Sequence, residues 1–249
     1  MPIIISVCLG VVQGLTEFLP VSSSGHLVLA QKLFGSEPDL FTNVALHCGT
    51  LLAVLIFYRK QIAALIKKPF GAGGVWLITA TIPTVVIAVA VKFLLPDALG
   101  DALLPVGFAM TVFLLLTSEF FRRKKPAPPR TVNALAAGLA QGVSVLPGLS
   151  RSGATICAMR MAGMDGKKAV ELSFLMSVPV IIGSIIFMCF DVSVSAAPVD
   201  FVSLAAGTLA SGATGYFALK FLKKIADGGS LSAFGYYTLF PFLLSCVIY

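Results

Sequence analysis

The sequence predicts an all-α polytopic membrane protein made of an inverted-topology repeat, each half a re-entrant helix–loop–helix followed by three transmembrane helices. Three observations predict this fold: the apolar composition, two apolar stretches that are broken in the middle, and an uneven distribution of basic residues. Of 249 residues, 57% are hydrophobic and 12% are charged, against about 45–50% and about 25% in soluble domains. This composition excludes a water-soluble enzyme, and the chain lacks the alternation of an outer-membrane barrel.

The predicted elements follow in order along the chain. The first broken stretch covers about 2–35 and is followed by three spans, about 41–58, 75–95 and 103–121. The second broken stretch covers about 131–162 and is followed by three more, about 169–190, 199–219 and 234–249. Each span is near the roughly 20 apolar residues that a bilayer-crossing helix needs. The breaks contain Pro, Ser and Gly, and such backbone must be buried in protein or line a wet cavity.

The two breaks resemble each other. QGLTEFLPVSSSG (13–25) and QGVSVLPGLSRSG (141–153) both start with Gln-Gly, contain Leu-Pro and end with Ser-Gly. The chain is therefore expected to be one transmembrane domain, 1–249, with one repeat over about 1–125 and a second over about 131–249. Because three spans is an odd number, the second repeat begins on the opposite side, and the two broken hairpins meet near the midplane.

The basic residues set the orientation. If the N-terminus is outside, 15 of the 18 basic residues fall in inside loops, two lie outside, and Arg151 lies in the second break. This asymmetry obeys the positive-inside rule, so both termini are predicted outside. The Arg122–Lys125 run is interpreted as a topology signal and lipid-headgroup contact, so no nucleic-acid partner is expected.

Ionisable groups at membrane depth are candidates for function because they are costly there. The breaks contain Glu17, His26 and Arg151, and Gln13 shares a helix face with Glu17. Unpaired N–H groups at the helix starts near Ser24 and Ser152 favour an anion, and the planar arginine suits phosphate oxygens. The hydroxyls expected to help bind phosphate, together with Arg151, are Ser22, Ser24, Ser150, Ser152 and Thr155.

The same residues also have purely structural interpretations. Glu17 and Arg151 alone could be only a buried ion pair that locks the repeats together, and serines at a helix start are usually N-caps. For His47, with Asn43 and Thr50 at helical spacing, a helix-packing hydrogen bond is favoured over a role in the site. A transporter that flips a polyprenyl phosphate is the alternative function, because carriers also use inverted repeats with broken helices.

At the two breaks the sequence closely resembles the undecaprenyl-diphosphate phosphatase family, also known as the bacitracin-resistance proteins. The first family motif reads QGLTEFLPVSSSGH (13–26) here, with Gln13 where many members have glutamate. The second reads PGLSRSGAT (147–155). The likeness continues through LHCGTLLAVLIFYRK (46–60) and ELSFLMSVP (171–179) and spans nearly the whole chain.

The resemblance implies hydrolysis of a C55 polyprenyl diphosphate to its monophosphate, which recycles the lipid carrier for cell-wall synthesis and confers bacitracin resistance. It implies a bacterial cell membrane, an active site opening to the outer side, and membrane lipids as partners, with a homodimer left open. It also implies a divalent cation, Mg²⁺ or Ca²⁺, for which Glu17 and Gln13 are the candidate ligands.

The catalytic residues expected from both lines of reasoning are Glu17, Ser23, His26 and Arg151. Arg151 is expected to hold phosphoryl oxygens, and Glu17 to hold the cation or orient the attacking group. Three nucleophiles stay open: Ser23 activated by His26, His26 itself, or a metal-bound water.

Overall fold

The structure is a computed structural model that describes residues 2–36, 40–121, 128–190, 200–226 and 230–249, apart from the side chains of residues 40 and 187–190. The basic run Arg122–Lys125 lies outside the described residues. Within these ranges the chain forms eleven α-helices and two short 3-10 turns, and no β-strand. The helices are α1 Ile3–Phe18, α2 Ser23–Leu33, α3 Leu40–Phe57, α4 Arg59–Lys67, α5 Ala72–Leu94, α6 Leu104–Thr117, α7 Thr131–Val143, α8 Arg151–Met161, α9 Gly166–Phe190, α10 Phe201–Ile225 and α11 Ser232–Ile248.

Both predicted breaks are present and are built alike. α1 ends at Phe18, and Leu19 is extended because it precedes Pro20. Ser22 caps α2 by accepting a hydrogen bond from the Gly25 N–H at 3.3 Å. Ser150 caps α8 in the same way, accepting from the Gly153 N–H at 3.1 Å.

The two halves exchange their packing partners. α1 packs against α10 of the other half, and its counterpart α7 packs against α5. Equivalent glycines make both contacts close: a Cβ on Gly10 would meet the Gly207 carbonyl, and a Cβ on Gly138 would meet the Ala80 carbonyl. In the same way α2 contacts α11, and α8 contacts α6. Reciprocal contacts of this kind are those of two repeats related by a two-fold axis.

The repeats run in opposite directions, as predicted. α6 and α11 are the last helices of the two halves and pack side by side. Tyr249 at the end of α11 donates to Asp101 before α6 at 3.3 Å, and the Leu231 N–H before α11 donates to Glu119 after α6 at 3.2 Å. The start of one helix therefore lies beside the end of the other, and the all-α inverted repeat is confirmed.

The lengths of the spans differ from the prediction. α5, α10 and residues Gly166–Ile186 of α9 are long and apolar enough to cross a membrane. The span predicted at 103–121 is only 14 residues long as α6, because the helix ends at Thr117 and a turn follows, in which the Phe120 N–H donates to the Thr117 carbonyl. α11 has 17 residues. α3 is long enough to cross a membrane only together with α4, which bends away from it by 80° and lies between the predicted spans 41–58 and 75–95.

Candidate active site

The two breaks lie side by side against the middle of α6. The Thr111 hydroxyl donates to the Gly148 carbonyl at 3.0 Å and accepts from the Ser150 N–H at 2.8 Å. The Ser152 hydroxyl donates to the Leu19 carbonyl at 3.0 Å, which joins the second break directly to the first. Residues 133 positions apart in the chain are thereby brought into one site.

Glu17 is the centre of this site. It is the second-last residue of α1, 5% exposed, and its side chain points between the two breaks. The Gln13 amide donates to its Oε2 atom at 2.9 Å, and the Ser23 hydroxyl donates to the same oxygen at 2.6 Å. Arg151 donates through Nη2 to the other oxygen, Oε1. Three of the four predicted catalytic residues, Glu17, Ser23 and Arg151, are therefore in direct contact.

Arg151 has donors that Glu17 does not use. It is the first residue of α8, so its side chain leaves the helix where the backbone N–H groups are unpaired. Its Nη1 atom is buried and makes no hydrogen bond within the described residues. Because a buried donor without a partner is costly, this nitrogen is placed to bind an acceptor that the chain does not supply, such as a phosphoryl oxygen.

His47 lies beside the site, whereas the sequence favoured a helix-packing hydrogen bond for it. Its Nδ1 atom donates to the Asn43 carbonyl at 2.7 Å within α3, and its Nε2 atom lies 3.7 Å from Glu17 Oε2. Asn43 does pack helices, since it accepts from Gln31 of α2 at 2.9 Å. The chain contains two histidines, and both lie in apolar surroundings beside the breaks. A histidine within an apolar span was the signal that could have placed His47 here.

His26 is oriented away from Ser23. Its Nδ1 atom donates to the Ser22 carbonyl at 2.7 Å, and its Nε2 atom lies 3.1 Å from the Tyr237 hydroxyl. Its ring also stacks on Tyr237 with centroids 5.7 Å apart. The predicted pairing of Ser23 with His26 is therefore not the one that the structure shows, because Ser23 donates to Glu17 instead. No pattern in the sequence pointed to Tyr237, whose contact comes from the opposite repeat.

The remaining hydroxyls divide by role. Ser22 and Ser150 are buried and act as N-caps, each 3.3 Å from a second serine, Ser24 or Ser152. Ser24 is exposed at the mouth of the first break. Thr155 is fully buried and bonds Ser173 of α9 at 2.6 Å, so it fixes the start of α8 and does not face the site. These positions pre-organise two helix N-termini beside Arg151.

The oxygen atoms around Glu17 could act as ligands of a hard cation that is also bound by phosphate oxygens. Glu17 offers a carboxylate, and Gln13 Oε1 is a buried acceptor for which the described part of the chain provides no donor. The described residues contain no group of three His, Cys, Asp or Glu that could hold a metal by themselves. An ion such as Mg²⁺ is commonly held by one or two carboxylates and by phosphate oxygens, which fits this sparse set.

Comparison with known proteins identifies the family. The model of the family "Bacitracin resistance protein BacA" matches residues 6–242. This chain belongs to that family. All the site residues described above, from Gln13 to Tyr237, fall within the matched region of this BacA family protein.

Curated relatives agree with this assignment. An undecaprenyl-diphosphatase of Carboxydothermus hydrogenoformans is 39% identical, over 92% of this chain and 90% of the relative. An undecaprenyl-diphosphatase of Treponema denticola is 38% identical over 100% of this chain and 98% of its own length. Undecaprenyl-diphosphatase 4 of Bacillus thuringiensis subsp. konkukian is 40% identical over 92% and 90%. The BacA family protein thus matches relatives of this name over nearly their whole length.

Proposed function

We propose that this protein is an integral-membrane phosphatase that hydrolyses undecaprenyl diphosphate to undecaprenyl phosphate and phosphate. This proposal rests on the contacts of Glu17 with Ser23 and Arg151, and on Arg151 Nη1, which has no partner in the described residues and can bind a phosphoryl oxygen. The names of the relatives support this reaction and not the transporter. The same reaction would return the lipid carrier to cell-wall synthesis and confer bacitracin resistance.

Ser23 is the nucleophile that the geometry favours. Its hydroxyl donates to Glu17 at 2.6 Å, so Glu17 is positioned to take the proton as Ser23 oxygen bonds to the terminal phosphorus. The bond from that phosphorus to the bridging oxygen breaks, and undecaprenyl phosphate leaves with the bridging oxygen. Water then hydrolyses the phosphoserine and releases phosphate. His26 is less suited to attack because both its ring nitrogens already have partners.

Arg151 would stabilise the charge on the transferring group. One nitrogen keeps Glu17 oriented, while Nη1 and the N–H groups at the start of α8 are available to equatorial oxygens. Pre-organised donors of this kind are usually the largest contribution to phosphoryl transfer. The cation, held by Glu17 and Gln13 together with the diphosphate, would neutralise phosphate charge when bound.

The setting fits a lipid substrate. The site lies between helices with apolar outer faces, so a polyprenyl tail can stay among membrane lipids while its diphosphate enters the breaks. By the positive-inside rule both termini are outside the cell membrane, and the family resemblance implies a site that opens to the same side. A homodimer stays a prediction.

The deciding experiment is phosphate release from C55 diphosphate by the purified protein in detergent. We expect wild-type protein to release phosphate, and Ser23→Ala and Glu17→Gln to lose at least about a hundredfold in turnover. Ser184→Ala is the matched control, because the one hydrogen bond of this serine within the described residues goes to the Val180 carbonyl on an exposed face of α9. Wild-type turnover in Ser23→Ala would overturn the serine as nucleophile, and no release by wild type would overturn the function.

Removal of the cation gives a second test. We expect excess chelator to abolish phosphate release and added Mg²⁺ or Ca²⁺ to restore it, because the single carboxylate and the diphosphate are ligands for a hard cation. Phosphate release is followed before and after each addition, with Ser184→Ala run in parallel. Full turnover in chelator would remove the cation from the reaction.

A further inference from the structure

Within the described residues, one ring nitrogen of His47 makes no hydrogen bond and faces the catalytic carboxylate. Its Nδ1 atom must donate to the Asn43 carbonyl at 2.7 Å, because a carbonyl oxygen can only accept. In the neutral ring this leaves Nε2 as an acceptor, 3.7 Å from another acceptor, Glu17 Oε2. Two acceptors at this separation repel each other unless a cation or a proton lies between them.

A second acceptor at the same carboxylate is also unsatisfied. Gln13 donates its amide nitrogen to Glu17, which leaves its Oε1 atom buried and without a donor in the described residues. Gln13 is 0% exposed. Glu17 Oε2, the oxygen that Arg151 does not bind, therefore lies beside the His47 imidazole nitrogen and accepts from the Gln13 amide, whose own oxygen is unsatisfied.

We propose that His47 Nε2 is a direct ligand of the divalent cation, bound together with Glu17 and with Gln13 as the neighbouring amide oxygen. This inference rests on the proposed function. With bonds of about 2.0–2.2 Å, two ligands of one ion are separated by roughly 3–4 Å, and the 3.7 Å between Nε2 and Oε2 lies in that range. The Nδ1 bond to Asn43 is the outer contact that orients a metal-binding histidine.

The nitrogen ligand predicts which cations bind best. Ca²⁺ takes oxygen ligands almost exclusively, whereas imidazole suits first-row transition metals. We therefore expect Mn²⁺ to bind this chain more tightly than Ca²⁺ does. The His47→Gln variant should lose most of that preference and weaken Mn²⁺ binding by at least about tenfold.

The test uses Mn²⁺ as the probe, with and without inorganic diphosphate, on the full-length protein in detergent after removal of any histidine tag. Electron spin-echo spectroscopy reports a ¹⁴N nucleus bound to Mn²⁺, and replacement by ¹⁵N-histidine shifts that signal. Because the chain contains two histidines, His26→Gln is the matched control: it should keep the imidazole signal, and His47→Gln should lose it. The measurement needs no turnover, so its result is separate from whether the protein is a phosphatase.

Each result decides the proposal even if one variant fails to fold. In His26→Gln the only imidazole is His47, and in His47→Gln the only imidazole is His26. An imidazole signal in wild type and in His26→Gln supports the proposal, as does its loss in folded His47→Gln. No Mn²⁺ binding, bound Mn²⁺ without an imidazole signal in wild type, or a signal that persists in His47→Gln would overturn it.

Discussion

Arg151 serves two purposes with its two terminal nitrogens. A buried ion pair by itself is weak evidence for stability, since desolvation offsets much of the attraction. The unpartnered Nη1 atom is what distinguishes Arg151 from a merely structural arginine in the described part of the chain. The second break supplies the arginine and the first break supplies the carboxylate, so the site exists only when both repeats are in place.

Replacement of Arg151 by lysine separates these two roles. Arg151→Lys keeps the charge but loses the fork that holds Glu17 and a phosphoryl oxygen together. We expect turnover to fall about a hundredfold or more, as when a pre-organised transition-state donor is removed. The measurement is phosphate release by monodisperse protein, with thermal unfolding recorded on the same sample.

Arg160 is the matched control for this change. It forms another buried arginine–glutamate pair, with Nη2 3.1 Å from Glu119 Oε1, remote from the breaks. Arg160→Lys should lower thermal stability to a similar degree but leave turnover unchanged. Near-normal turnover in a stable Arg151→Lys protein, or in the double variant Arg151→Met with Glu17→Gln, would instead assign Arg151 a structural role only.

Ser22 holds the first break in an unfavourable backbone conformation. Its φ is +72°, and it is the only non-glycine residue in the described ranges with a positive φ. The left-handed region costs an L-residue roughly 1–2 kcal/mol. We expect Ser22→Ala to lose about 1 kcal/mol because it keeps this cost and loses the cap, whereas Ser22→Gly stays near wild type because relief of strain offsets the lost cap. Thermal unfolding of both variants checks this, and a glycine variant less stable than the alanine one would contradict it.

At the scale of elements, the breaks were predictable and the helix ends were not. Leu19 before Pro20 and the serines before Gly25 and Gly153 are local signals, so the sequence located both breaks. α4 was missed because its lysines and arginines resemble a loop, although the same residues form a helix bent 80° from α3. His47 was not placed beside the site because its partner, Glu17, lies on another helix, and no local pattern shows such a contact.

Small residues set the distance between α1 and α10. A Cβ on Gly14 would meet Thr214 Oγ1 and the Ser211 carbonyl, and would lie 2.7 Å from the Gly215 nitrogen. This packing also positions Glu17, which lies one helical turn further along α1. Close backbone contact of this kind is a main source of helix association in membranes.

Gly14→Ala should therefore destabilise the protein, although alanine favours helices by about 1 kcal/mol over glycine. We expect a lower melting temperature and reduced phosphate release, because α1 and α10 must separate. Gly183→Ala in α9 is the control: among described atoms nothing lies within 4 Å of its Cβ position, so the helix preference should stabilise it. Equal melting temperatures for both variants would show that the contact does not set the helix distance.

At the scale of the whole molecule, each end of the helix bundle combines residues of both halves. At one end Tyr249 bonds Asp101, and Lys32 lies over the Tyr249 ring at 3.8 Å from its centroid. At the other end Arg160 pairs with Glu119, and the Leu231 N–H donates to the same carboxylate at 3.2 Å. Described lysines at helix ends, such as Lys68 and Lys168, belong to this second end, which the positive-inside rule assigns to the cytoplasm.

Cysteine labelling tests that orientation. In a background with the five native cysteines replaced, Ala127→Cys follows the basic run at 122–125, and Asp97→Cys lies in the exposed turn before α6. An impermeant maleimide should label Asp97→Cys in intact cells and Ala127→Cys only after permeabilisation, because positive charges before a short loop hold it in the cytoplasm. The reverse pattern would invert the orientation and move the site's opening to the inside, but would leave the inverted repeat intact, since α6 and α11 are antiparallel either way. Labelling of both positions from outside would contradict the predicted topology itself, because α6 would then not cross the membrane.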